Sequence, residues 1–435
     1  MSEPLRLRNW AGNLQYKAHS LHEPSSLAEV QAIVRRCRQL RRVLGSRHCF
    51  NAIADAEELL QFGFAAADVD AATQRVRVQG SLSYAQLCPL LQDAGMALHN
   101  LASLPHISVA GAVSTATHGA GQCNGNLATA VVGLKLVLAS GEMLEVREGD
   151  ARLQQMVVGL GCLGVVTELT LRLQPAFRLR QRVFAGKMQT LSSQAALDSA
   201  LGCAYAVSLW TTWEPSGPDM EFRLWAKELE GEPLDKLLEG HVLCVEQFEK
   251  QHPLQGLDPS ACTDLGLGWW HERLAHFKAE FIPSSGAELQ SEYFVPRRFA
   301  NEALQALARI SSTFSPLLLC SEIRAVASDQ LLLSPNCARH VGEAGSVGFH
   351  FTWKLQEPEV TNVLFAIEGA LERFQARPHW GKLFVMPRAR LEGLYGSALQ
   401  EFRLLAKQLD PEGKFCNSWV LNTIGDYTQE AVSAL

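Results

Sequence analysis

The sequence lacks the features that mark several large classes of protein. Eleven cysteines are scattered along the chain, but no two form a Cys-x-x-Cys pair, so we expect neither a disulfide framework nor a zinc or other metal site. No segment approaches the roughly 20 apolar residues of a membrane helix, and the first residues contain no apolar stretch of the kind that directs secretion. We therefore expect a cytoplasmic protein with no membrane partner.

Charge and motif content argue against further functions. The formal net charge is −6, whereas proteins that follow the phosphates of nucleic acids concentrate lysine and arginine, so we expect no nucleic-acid partner. The sequence contains no Gly-x-Ser-x-Gly motif to support a hydrolase. The 435 residues, 47% of them hydrophobic, are enough to bury a large core in two or three domains. Nothing in the composition indicates a protein partner.

One dinucleotide-binding fingerprint occurs in the chain. Gly159, Gly161 and Gly164 have the spacing Gly-x-Gly-x-x-Gly. A nicotinamide-binding turn needs a strand before it and a helix after it, but here a helical pattern over 150–158 precedes the glycines and a strand pattern over 165–173 follows them. This order predicts a glycine-rich connection from a helix to a strand instead.

Two histidines in the middle of the chain raise the question of a metal site. His271 and His276 are five residues apart, which misses the i, i+4 spacing of two ligands on one helix face. We interpret both as structural.

Periodicity, capping boxes and turn signals predict the main elements. From about residue 178 the sequence becomes richer in tryptophan and less rich in glycine, so we place a domain boundary there. The predicted elements are a helix from Ser26 to Leu40, a strand at 43–44, a strand at 76–78, a helix that begins with a capping box at Ser83 and stops at Gly95, a hairpin around 140–141, a strand over 165–173 and a helix over 398–409.

Two segments are suited to a large cofactor. The first is the strand-to-loop stretch Val43-Leu44-Gly45-Ser46-Arg47-His48-Cys49, whose successive amides can form a nest that holds a pyrophosphate. Alone, such a turn is common, and a single histidine in it is usually a surface residue. The second segment, 108–121, consists almost entirely of small residues, so its backbone can approach a planar or phosphorylated ligand closely.

In the later part of the chain, polar side chains alternate along two predicted strands. Glu322 and Arg324 are two residues apart and share one face, and 349–354 has three aromatic residues on one face and three polar residues on the other. Each strand alone is typical of an amphipathic strand with a solvent-exposed outer face. Together the two strands could instead line a polar pocket, to which the turn at 377–382 would add a histidine and a lysine.

Longer runs of the sequence, at 9–13, 45–51, 102–111, 117–119, 281–293, 320–324 and 376–382, carry a resemblance to one family. Almost end to end, the chain is similar to the alditol oxidases and xylitol oxidases of the vanillyl-alcohol oxidase flavoprotein superfamily. Because so many long runs match, this resemblance is more specific than any single short motif.

The resemblance implies an α+β, two-domain fold of the vanillyl-alcohol oxidase type. An FAD-binding α+β domain would comprise residues 1–178, a substrate (cap) domain with a mainly antiparallel sheet flanked by helices would comprise 179–379, and 380–435 would return to the FAD-binding domain. The implied cofactor is FAD, bonded covalently through His48 to the flavin 8α-methyl carbon. The implied cofactor-binding residues are Val43, Leu44, Gly45, Ser46, Arg47, His48, Cys49, Ser108, Val113, Ala116, Thr117, His118, Gly119, Val166 and His379.

The implied activity is oxidation of a terminal primary alcohol of a polyol such as xylitol or sorbitol. Hydride would pass to flavin N5, and O2 would reoxidise the flavin to give H2O2. Arg324 and Lys382 would be catalytic, because two cations near the C1 hydroxyl favour negative charge developing on its oxygen. The implied substrate-binding residues are Ser108, Glu322, Arg324, Thr352 and Lys382.

Two alternatives share the same fold and cofactor. The chain could be an aldonolactone oxidase, or a dehydrogenase that passes electrons to an acceptor other than O2. The polar residues Glu322, Arg324, Thr352 and Lys382 argue against a protein that binds flavin but catalyses no reaction.

The cofactor loop departs from the family pattern beside its histidine. Arg47 and Cys49 stand where a glycine and a serine are expected. Since glycine alone adopts positive φ freely, Arg47 puts the backbone angle there in question. His48 itself is retained, so the covalent bond is still expected.

Overall fold

The structure is a computed structural model that describes residues 5–37, 40–216, 219–232, 244–254, 256–281 and 286–428. Residues 282–285, inside the matching run 281–293, lie outside the described residues, as do 1–4 and 429–435, where the first and last predicted domains begin and end. Over the described ranges the chain forms two large β-sheets, and each sheet borders its own apolar core.

The part of the chain before residue 176 contains a small parallel sheet and a larger antiparallel one. Its elements are β1 (Ser20–His22), α1 (Leu27–Arg36), β2 (Leu40–Val43), β3 (Glu58–Leu60), β4 (Ala65–Asp70), β5 (Arg75–Gly80), α2 (Tyr84–Asp93), β6 (Met96–Ala97), α3 (Val109–Ser114), β7 (Val131–Val137), β8 (Met143–Arg147), α4 (Leu153–Met156), β9 (Val165–Arg172) and β10 (Gln174–Pro175). The parallel sheet has the order β1-β3-β2, the antiparallel sheet has the order β4-β5-β9-β7-β8, and β6 pairs with β10. The hairpin β7–β8 confirms the turn predicted around 140–141.

Helix α1 begins where predicted but ends earlier. The Ser26 hydroxyl accepts a hydrogen bond from the Glu29 amide at 3.3 Å, which satisfies one of the free amides of the first turn. The predicted extension to Leu40 is wrong, because the backbone of Leu40 belongs to β2 and pairs with Glu58 of β3. Apolar spacing continued past the end of the helix only because Leu40, the first residue of the next strand, falls at a helical interval from Cys37.

Helix α2 confirms its prediction. The Ser83 hydroxyl accepts from the Gln86 amide, and the Gln86 side chain accepts from the Ser83 amide, so both hydrogen bonds of a capping box are present. The chain leaves the helix at Gly95, whose φ is +69°. This left-handed angle is the one that glycine adopts without strain.

The three glycines of the apparent dinucleotide fingerprint connect a helix to a strand, as predicted. Helix α4 ends before them and strand β9 begins directly after Gly164. Gly161 and Gly164 have φ of +69° and +144°, so the glycines serve the path of this connection.

The second large sheet begins at Arg178. The elements from there on are β11 (Arg178–Lys187), α5 (Gln194–Leu201), β12 (Ala206–Thr211), β13 (Pro215–Ser216), β14 (Asp219–Leu229), β15 (Cys244–Gln247), β16 (Gly266–Trp269), α6 (Trp270–Arg273), β17 (Glu288–Pro296), α7 (Ala300–Arg309), α8 (Ser311–Phe314), β18 (Leu318–Val326), α9 (Ala338–Val341), β19 (Ser346–Lys354), α10 (Glu357–Leu371), β20 (Arg377–Pro378), α11 (Arg388–Tyr395), α12 (Ser397–Leu409) and α13 (Ser418–Thr423). Its order is β15-β11-β14-β12-β18-β19-β17-β20, with every pair antiparallel. The strands β16 and β13 pair at its margin with β11 and β14.

Strand β19 separates an apolar core from polar surroundings. Phe349, Phe351 and Trp353 are fully buried in the core that also contains side chains of α7 and α10. His350 and Thr352 point to the other face, yet each is only 6% exposed. The interpretation of this face as solvent-exposed is therefore wrong, because loops from the first part of the chain cover it.

The last described residues return to the core of the first part of the chain. Trp380, Phe402 and Tyr427 belong to the same apolar cluster as side chains of α2 and β9. Helix α12 confirms the helix predicted over 398–409. Among the described residues, no helix combines the length and the apolar character needed to cross a bilayer.

Candidate active site

A cavity of about 450 Å³ lies between the polar face of the second sheet and the loops of the first part of the chain. Of the residues predicted to bind cofactor, Val113 and Ala116 do not line it and are buried in the apolar core, and Gly119 packs against the backbone of Leu101 instead. The predicted residues that do line it are Val43, Leu44, Gly45, Ser46, Arg47, His48, Cys49, Ser108, Thr117, His118, Val166, Glu322, Arg324, Thr352, His379 and Lys382.

One side of the cavity, which we call the backbone wall, consists of residues 45–49 and 108–111. The amides of Ser46 and Ser108 each donate to the hydroxyl of the other residue, at 3.4 and 3.3 Å. A Cβ atom at Gly45 would collide with Ser108 Oγ, and one at Gly111 would lie 2.7 Å from it. Gly45 therefore lets the two segments approach so closely, and Gly111 leaves room for the Ser108 side chain within its own segment.

The loop residue Arg47 adopts the backbone angle that its position in the family pattern requires. Its φ is +58°, in the left-handed region that costs a non-glycine residue about 1–2 kcal/mol. The neighbouring His48 ring is stacked on Trp10, with ring centroids 4.2 Å apart. Burial, and after it the positive charge of Lys382, lowers the pKa of His48 to about 4. The imidazole is therefore neutral at neutral pH and keeps a free lone pair on one ring nitrogen.

The cofactor loop is attached to the segment that carries Lys382. The Asn51 side-chain amide donates to the carbonyl oxygens of Trp380 and Lys382, at 2.8 and 2.7 Å. The Phe50 amide donates to the Gly381 carbonyl at 2.8 Å. Two parts of the chain that are far apart in sequence thus hold His48 and Lys382 on the same cavity.

The opposite side of the cavity, the polar wall, consists of Glu292, Glu322, Arg324, His350, Thr352 and Lys382. Four adjacent strands bring Trp210, Glu322, His350 and Glu292 into one row, in register across β12, β18, β19 and β17. Directly opposed residues of neighbouring strands project to the same face of a sheet. The register therefore places this whole row toward the cavity, which residues at every one of the four positions line.

Glu292 is the centre of the polar wall. Its fully buried carboxylate lies 2.6 Å from Lys382 Nζ, 3.0 Å from Arg324 Nη2 and 3.1 Å from His118 Nε2. Gly348, which pairs with Arg324 across β18 and β19, leaves space for the guanidinium to reach Glu292, because a Cβ there would lie 3.1 Å from Glu292 Oε1. One carboxylate thus fixes two cations that come from different elements.

The charges of the polar wall stabilise one another against burial. Burial would raise the pKa of Glu292, but Lys382, His118 and Arg324 together hold it well below its usual range. Burial lowers the pKa of Lys382, and Glu292 opposes that shift. Burial also raises the pKa of Glu322, which Arg324 opposes. A carboxylate with two close cations stays ionised, so Glu292 is a fixed negative charge between Lys382 and Arg324.

The chain matches known protein families and proteins. Residues 19–147 match the family model described as FAD binding domain, and residues 287–423 match the one described as D-arabinono-1,4-lactone oxidase. An alditol oxidase from Streptomyces sp. is 41% identical over 421 residues, which cover 95% of this chain and 97% of that protein. The chain belongs to the alditol oxidase family. It is therefore an FAD-dependent oxidoreductase, as the resemblance implied.

More distant relatives of this alditol oxidase family member are named as lactone oxidases or lactone dehydrogenases. L-gulonolactone oxidase from Bos taurus is 25% identical, with 96% of this chain and 97% of that protein covered. L-gulono-1,4-lactone dehydrogenase from Mycobacterium tuberculosis is 26% identical, with 96% and 98% covered. Both are considerably less similar to this chain than the alditol oxidase.

Solved structures confirm the predicted fold class, an α+β two-domain fold of the vanillyl-alcohol oxidase type. A solvent-stable cholesterol oxidase superposes with a TM-score of 0.73 at 16% identity, with 96% of this chain and 97% of that chain covered. A chitooligosaccharide oxidase superposes with a TM-score of 0.71 at 12% identity, with 98% and 94% covered. At such low identity these neighbours show the fold alone.

The cavity of this alditol oxidase family member fits FAD and a second, polar ligand. The backbone wall has glycines where a Cβ would close the gap between its two segments. At the polar wall, Glu322 Oε1 and the neighbouring Trp210 Nε1 are buried without a hydrogen-bond partner. Buried polar atoms almost always have partners, so a bound molecule with hydroxyl or amide groups would complete both.

The central residue of the polar wall was missed by pattern reasoning. Glu292 lies within β17, where Glu288, Gln290 and Glu292 are two residues apart and all three line the cavity. This alternation of polar residues was the signal that could have located Glu292. His350, whose Nδ1 lies 2.8 Å from Lys382 Nζ, was noted only as one member of a polar face.

His276 contacts the polar wall from behind. Its Nε2 lies 3.4 Å from Glu322 Oε1 and 3.1 Å from Ser208 Oγ, and the side chain is buried. From the sequence, His276 was considered only as a possible metal ligand together with His271, so the position of His276 beside Glu322 was not predicted.

Proposed function

We propose that the protein oxidises a terminal primary alcohol of a polyol, of the xylitol or sorbitol type, to the aldehyde. FAD would supply the two-electron acceptor for this oxidation, and O2 would take up the electrons to give H2O2. The observation that carries the proposal is the pair of cations, Lys382 and Arg324, held by one buried carboxylate beside polar groups that face the cavity. The 41% identity to an alditol oxidase supports it.

We place the FAD-binding domain at residues 1–178 and 380–435 and the substrate domain at 179–379. In support, the second sheet begins at Arg178, and side chains from Trp380 onward share the first apolar core. FAD supplies the two-electron acceptor for the alcohol. The residues that would hold it are those of the backbone wall together with Thr117, His118, Val166 and His379.

Lys382 and Arg324 are proposed to act on the C1 oxygen of the substrate. Negative charge develops on that oxygen as hydride leaves, and preorganised cations in a water-poor site stabilise it strongly. Both cations are already oriented by Glu292, so little reorganisation is needed during the reaction. Their effect is therefore on the rate of flavin reduction more than on substrate binding.

Ser108, Glu322 and Thr352 are proposed to bind the remaining hydroxyls. The buried Glu322 carboxylate, whose Oε1 lies 3.4 Å from His276 Nε2, accepts from one of them, and the Thr352 hydroxyl, 3.1 Å from His350 Nε2, bonds to another. A simple alcohol would leave such buried groups unpaired, at about 1–3 kcal/mol each, and this selects a polyol.

His48 is proposed to be the covalent attachment point of the flavin. Its neutral imidazole has the lone pair that a nucleophile needs, and Trp10 fixes the orientation of the ring. His48 would lose its imidazole N–H proton when it forms the bond, and FAD would supply the two-electron oxidation that the bond requires. Acid precipitation tests the bond: yellow colour in the pellet is expected, and colour left in the supernatant would refute it.

An aldonolactone oxidase or dehydrogenase is the second candidate. The match of residues 287–423 to the D-arabinono-1,4-lactone oxidase model favours it. The distinction lies in the substrate and in the electron acceptor, since both candidates use the same fold and cofactor.

One experiment separates these candidates. The purified protein is mixed anaerobically with alditols, sugars or lactones while flavin bleaching is followed, and O2 is then admitted and H2O2 assayed. We expect bleaching by alditols and peroxide on reoxidation. Bleaching by lactones alone supports the second candidate, bleaching without peroxide indicates a dehydrogenase, and no bleaching at all indicates a flavin-binding protein without turnover.

Lys382 provides the matching variant. Lys382→Met is expected to retain flavin but to lose nearly all flavin reduction by xylitol. Lys354 is an exposed lysine on β19, so the flavin of Lys354→Met should be reduced by xylitol at the wild-type rate. Normal bleaching of Lys382→Met by xylitol would exclude the proposed role.

A further inference from the structure

Three potential metal ligands meet far from the cavity, where the small parallel sheet contacts helix α1. His22 is the last residue of β1, Glu58 is the first residue of β3, and Cys37 is the C-cap of α1. None of the three lines the cavity. The polar wall and the proposed reaction make no use of them.

The donor atoms of this triad are spaced as the corners of a metal tetrahedron. His22 Nε2 lies 3.1 Å from Glu58 Oε2 and 3.7 Å from Cys37 Sγ, and all three donor atoms lie within 4.8 Å of one another. In a tetrahedral zinc site with ordinary bond lengths, the N–O and N–S edges are about 3.4 and 3.6 Å. The two edges that meet at His22 Nε2 are therefore within a few tenths of an ångström of those of a zinc site, and the third, between Cys37 Sγ and Glu58 Oε2, is no longer than 4.8 Å.

The chemistry of the donors selects the metal. A thiolate, an imidazole and a carboxylate suit a borderline-soft ion such as Zn²⁺, whereas Mg²⁺ and Ca²⁺ require oxygen ligands. The side chains of His22 and Glu58 are 21% and 27% exposed, so solvent can reach the open side of the triad. A water molecule can complete the fourth position.

Hydrogen bonding alone is the competing explanation of the triad. Partial burial would raise the pKa of Glu58, but hydrogen bonds from His22 and Cys37 hold it below its usual range. The same groups satisfy one another without metal in that arrangement. The two explanations differ in whether the thiol proton can be displaced by a cation.

We propose that His22, Cys37 and Glu58 form a Zn²⁺-binding site with water as the fourth ligand. Binding replaces the Cys37 thiol proton, which passes to solvent, and no electron is transferred. This proposal departs from the expectation that the scattered cysteines take part in no metal site, because two of the ligands are not cysteine and come from separate elements.

The ion would join α1 to the sheet that leads into the cofactor loop. Cys37 ends the helix, Glu58 pairs with the first residue of β2, and β2 ends at Val43, where the loop begins. Bound metal would therefore raise the thermal stability of the small parallel sheet. It would leave flavin reduction by the polar wall unchanged.

Cobalt substitution tests the site directly. The full-length flavin-containing protein is freed of metal with a chelator and titrated with Co²⁺ while the difference absorption spectrum is recorded. We expect one Co²⁺ per chain with a thiolate-to-cobalt charge-transfer band, displaced by one equivalent of Zn²⁺. Cys37→Ser should abolish the band, and His22→Gln and Glu58→Gln should each weaken Co²⁺ binding at least tenfold.

Cys123→Ser is the matched control, because Cys123 is an exposed free cysteine outside the triad, and it should retain the band. Flavin content and melting temperature without metal establish that each variant is folded, and Zn²⁺ should raise the melting temperature of the wild type and of Cys123→Ser alone. Absence of a charge-transfer band in the wild type, or a band of equal strength in Cys37→Ser, would overturn the proposal. So would an equal rise in melting temperature in all variants.

Discussion

The two sides of the cavity are built in opposite ways. The backbone wall brings main-chain amides close together by removing side chains, as at Gly45 and Gly111. The polar wall does the reverse and buries four or more ionisable side chains around Glu292. A wall of amides fits a cofactor that is always the same, whereas a wall of paired charges can stabilise a charge that exists only while a reaction proceeds. The two walls should therefore fail differently when changed.

The largest effect is expected at the centre of the polar wall. Glu292→Gln keeps the shape of the side chain but removes the charge shared by Lys382 and Arg324, so the two cations repel each other and shift. We expect flavin reduction by an alditol to slow on the order of 100-fold, with flavin content unchanged, in anaerobic stopped-flow measurements.

A buried carboxylate outside the cavity is the control for Glu292. Glu368 accepts hydrogen bonds from the Tyr293 hydroxyl and the Val385 amide, and Glu368→Gln should lower stability without slowing flavin reduction. A rate for Glu292→Gln within a few-fold of wild type would remove Glu292 from its central role.

Substitutions in the backbone wall should instead weaken cofactor binding. Gly45→Ala places a methyl group against Ser108 Oγ, and such over-packing costs about 1–3 kcal/mol. We expect about tenfold less flavin per protein in the purified variant, measured from the visible to near-ultraviolet absorbance ratio.

Removal of the opposing oxygen should restore the flavin content. The double variant Gly45→Ala/Ser108→Ala is expected to bind more flavin than Gly45→Ala alone. Gly369→Ala, in helix α10 where a Cβ has no neighbour within 4 Å, should bind normally. A double variant no better than the single one would mean that the collision is not with Ser108.

A third prediction concerns Lys227, which is buried beside the polar wall and should make the stability of the protein depend on pH. Burial lowers the pKa of Lys227, which is 2% exposed, to about 7. The unfolded chain holds this proton up to about pH 10.4, so the unfolded state binds more protons between these values and stability rises with pH. The slope approaches about 1.4 kcal/mol per pH unit.

Lys227→Met should lose that slope. The measurement is the urea midpoint of unfolding at several pH values from neutral to moderately alkaline, with the exposed Lys354→Met as a control that keeps the wild-type slope. Parallel curves for Lys227→Met and wild type would show that the lysine does not titrate in this range.

The smallest effect is expected at Arg47 in the backbone wall. Arg47→Gly relieves a left-handed backbone angle and should raise stability by about 1 kcal/mol, seen as a higher melting temperature. Gln74, with φ +53° at an exposed turn, provides a matched case, and Gln74→Gly should give a similar gain. A lower melting temperature for Arg47→Gly would mean that the guanidinium contributes more than the backbone strain removes.

The same contrast decides how much could be predicted from the sequence. Alternation along β18 and β19 located Glu322, Arg324 and Thr352, because side chains two apart share a face whatever the rest of the fold does. The resemblance located the cofactor loop. Glu292 was missed although Glu288, Gln290 and Glu292 alternate along β17 in the same way. Its place at the centre of the polar wall depends in addition on its pairing with His350 of β19, and no local pattern specifies that register.

Contacts between distant segments were equally beyond local reasoning. The hydrogen bonds between Ser46 and Ser108 join residues 62 positions apart, and no signal near either serine indicates them. In the same way, the resemblance implied Val113 and Ala116 as cofactor contacts, whereas the side chains of Val113 in α3 and of Ala116 just after it are buried in the apolar core. Residue type could be read along the chain, but the side on which each residue faces required the packing of α3 against its neighbours.

The bridge from Asn51 to the carbonyls of Trp380 and Lys382 has a consequence for synthesis of the protein. Its donor is made early, but its acceptors follow 329 and 331 residues later. While the chain emerges from the ribosome, the loop that carries His48 therefore waits without its anchor, and no complete reaction site exists. Lys382 itself is made only after nearly all of the chain, so the proposed reaction site is completed at the end of synthesis.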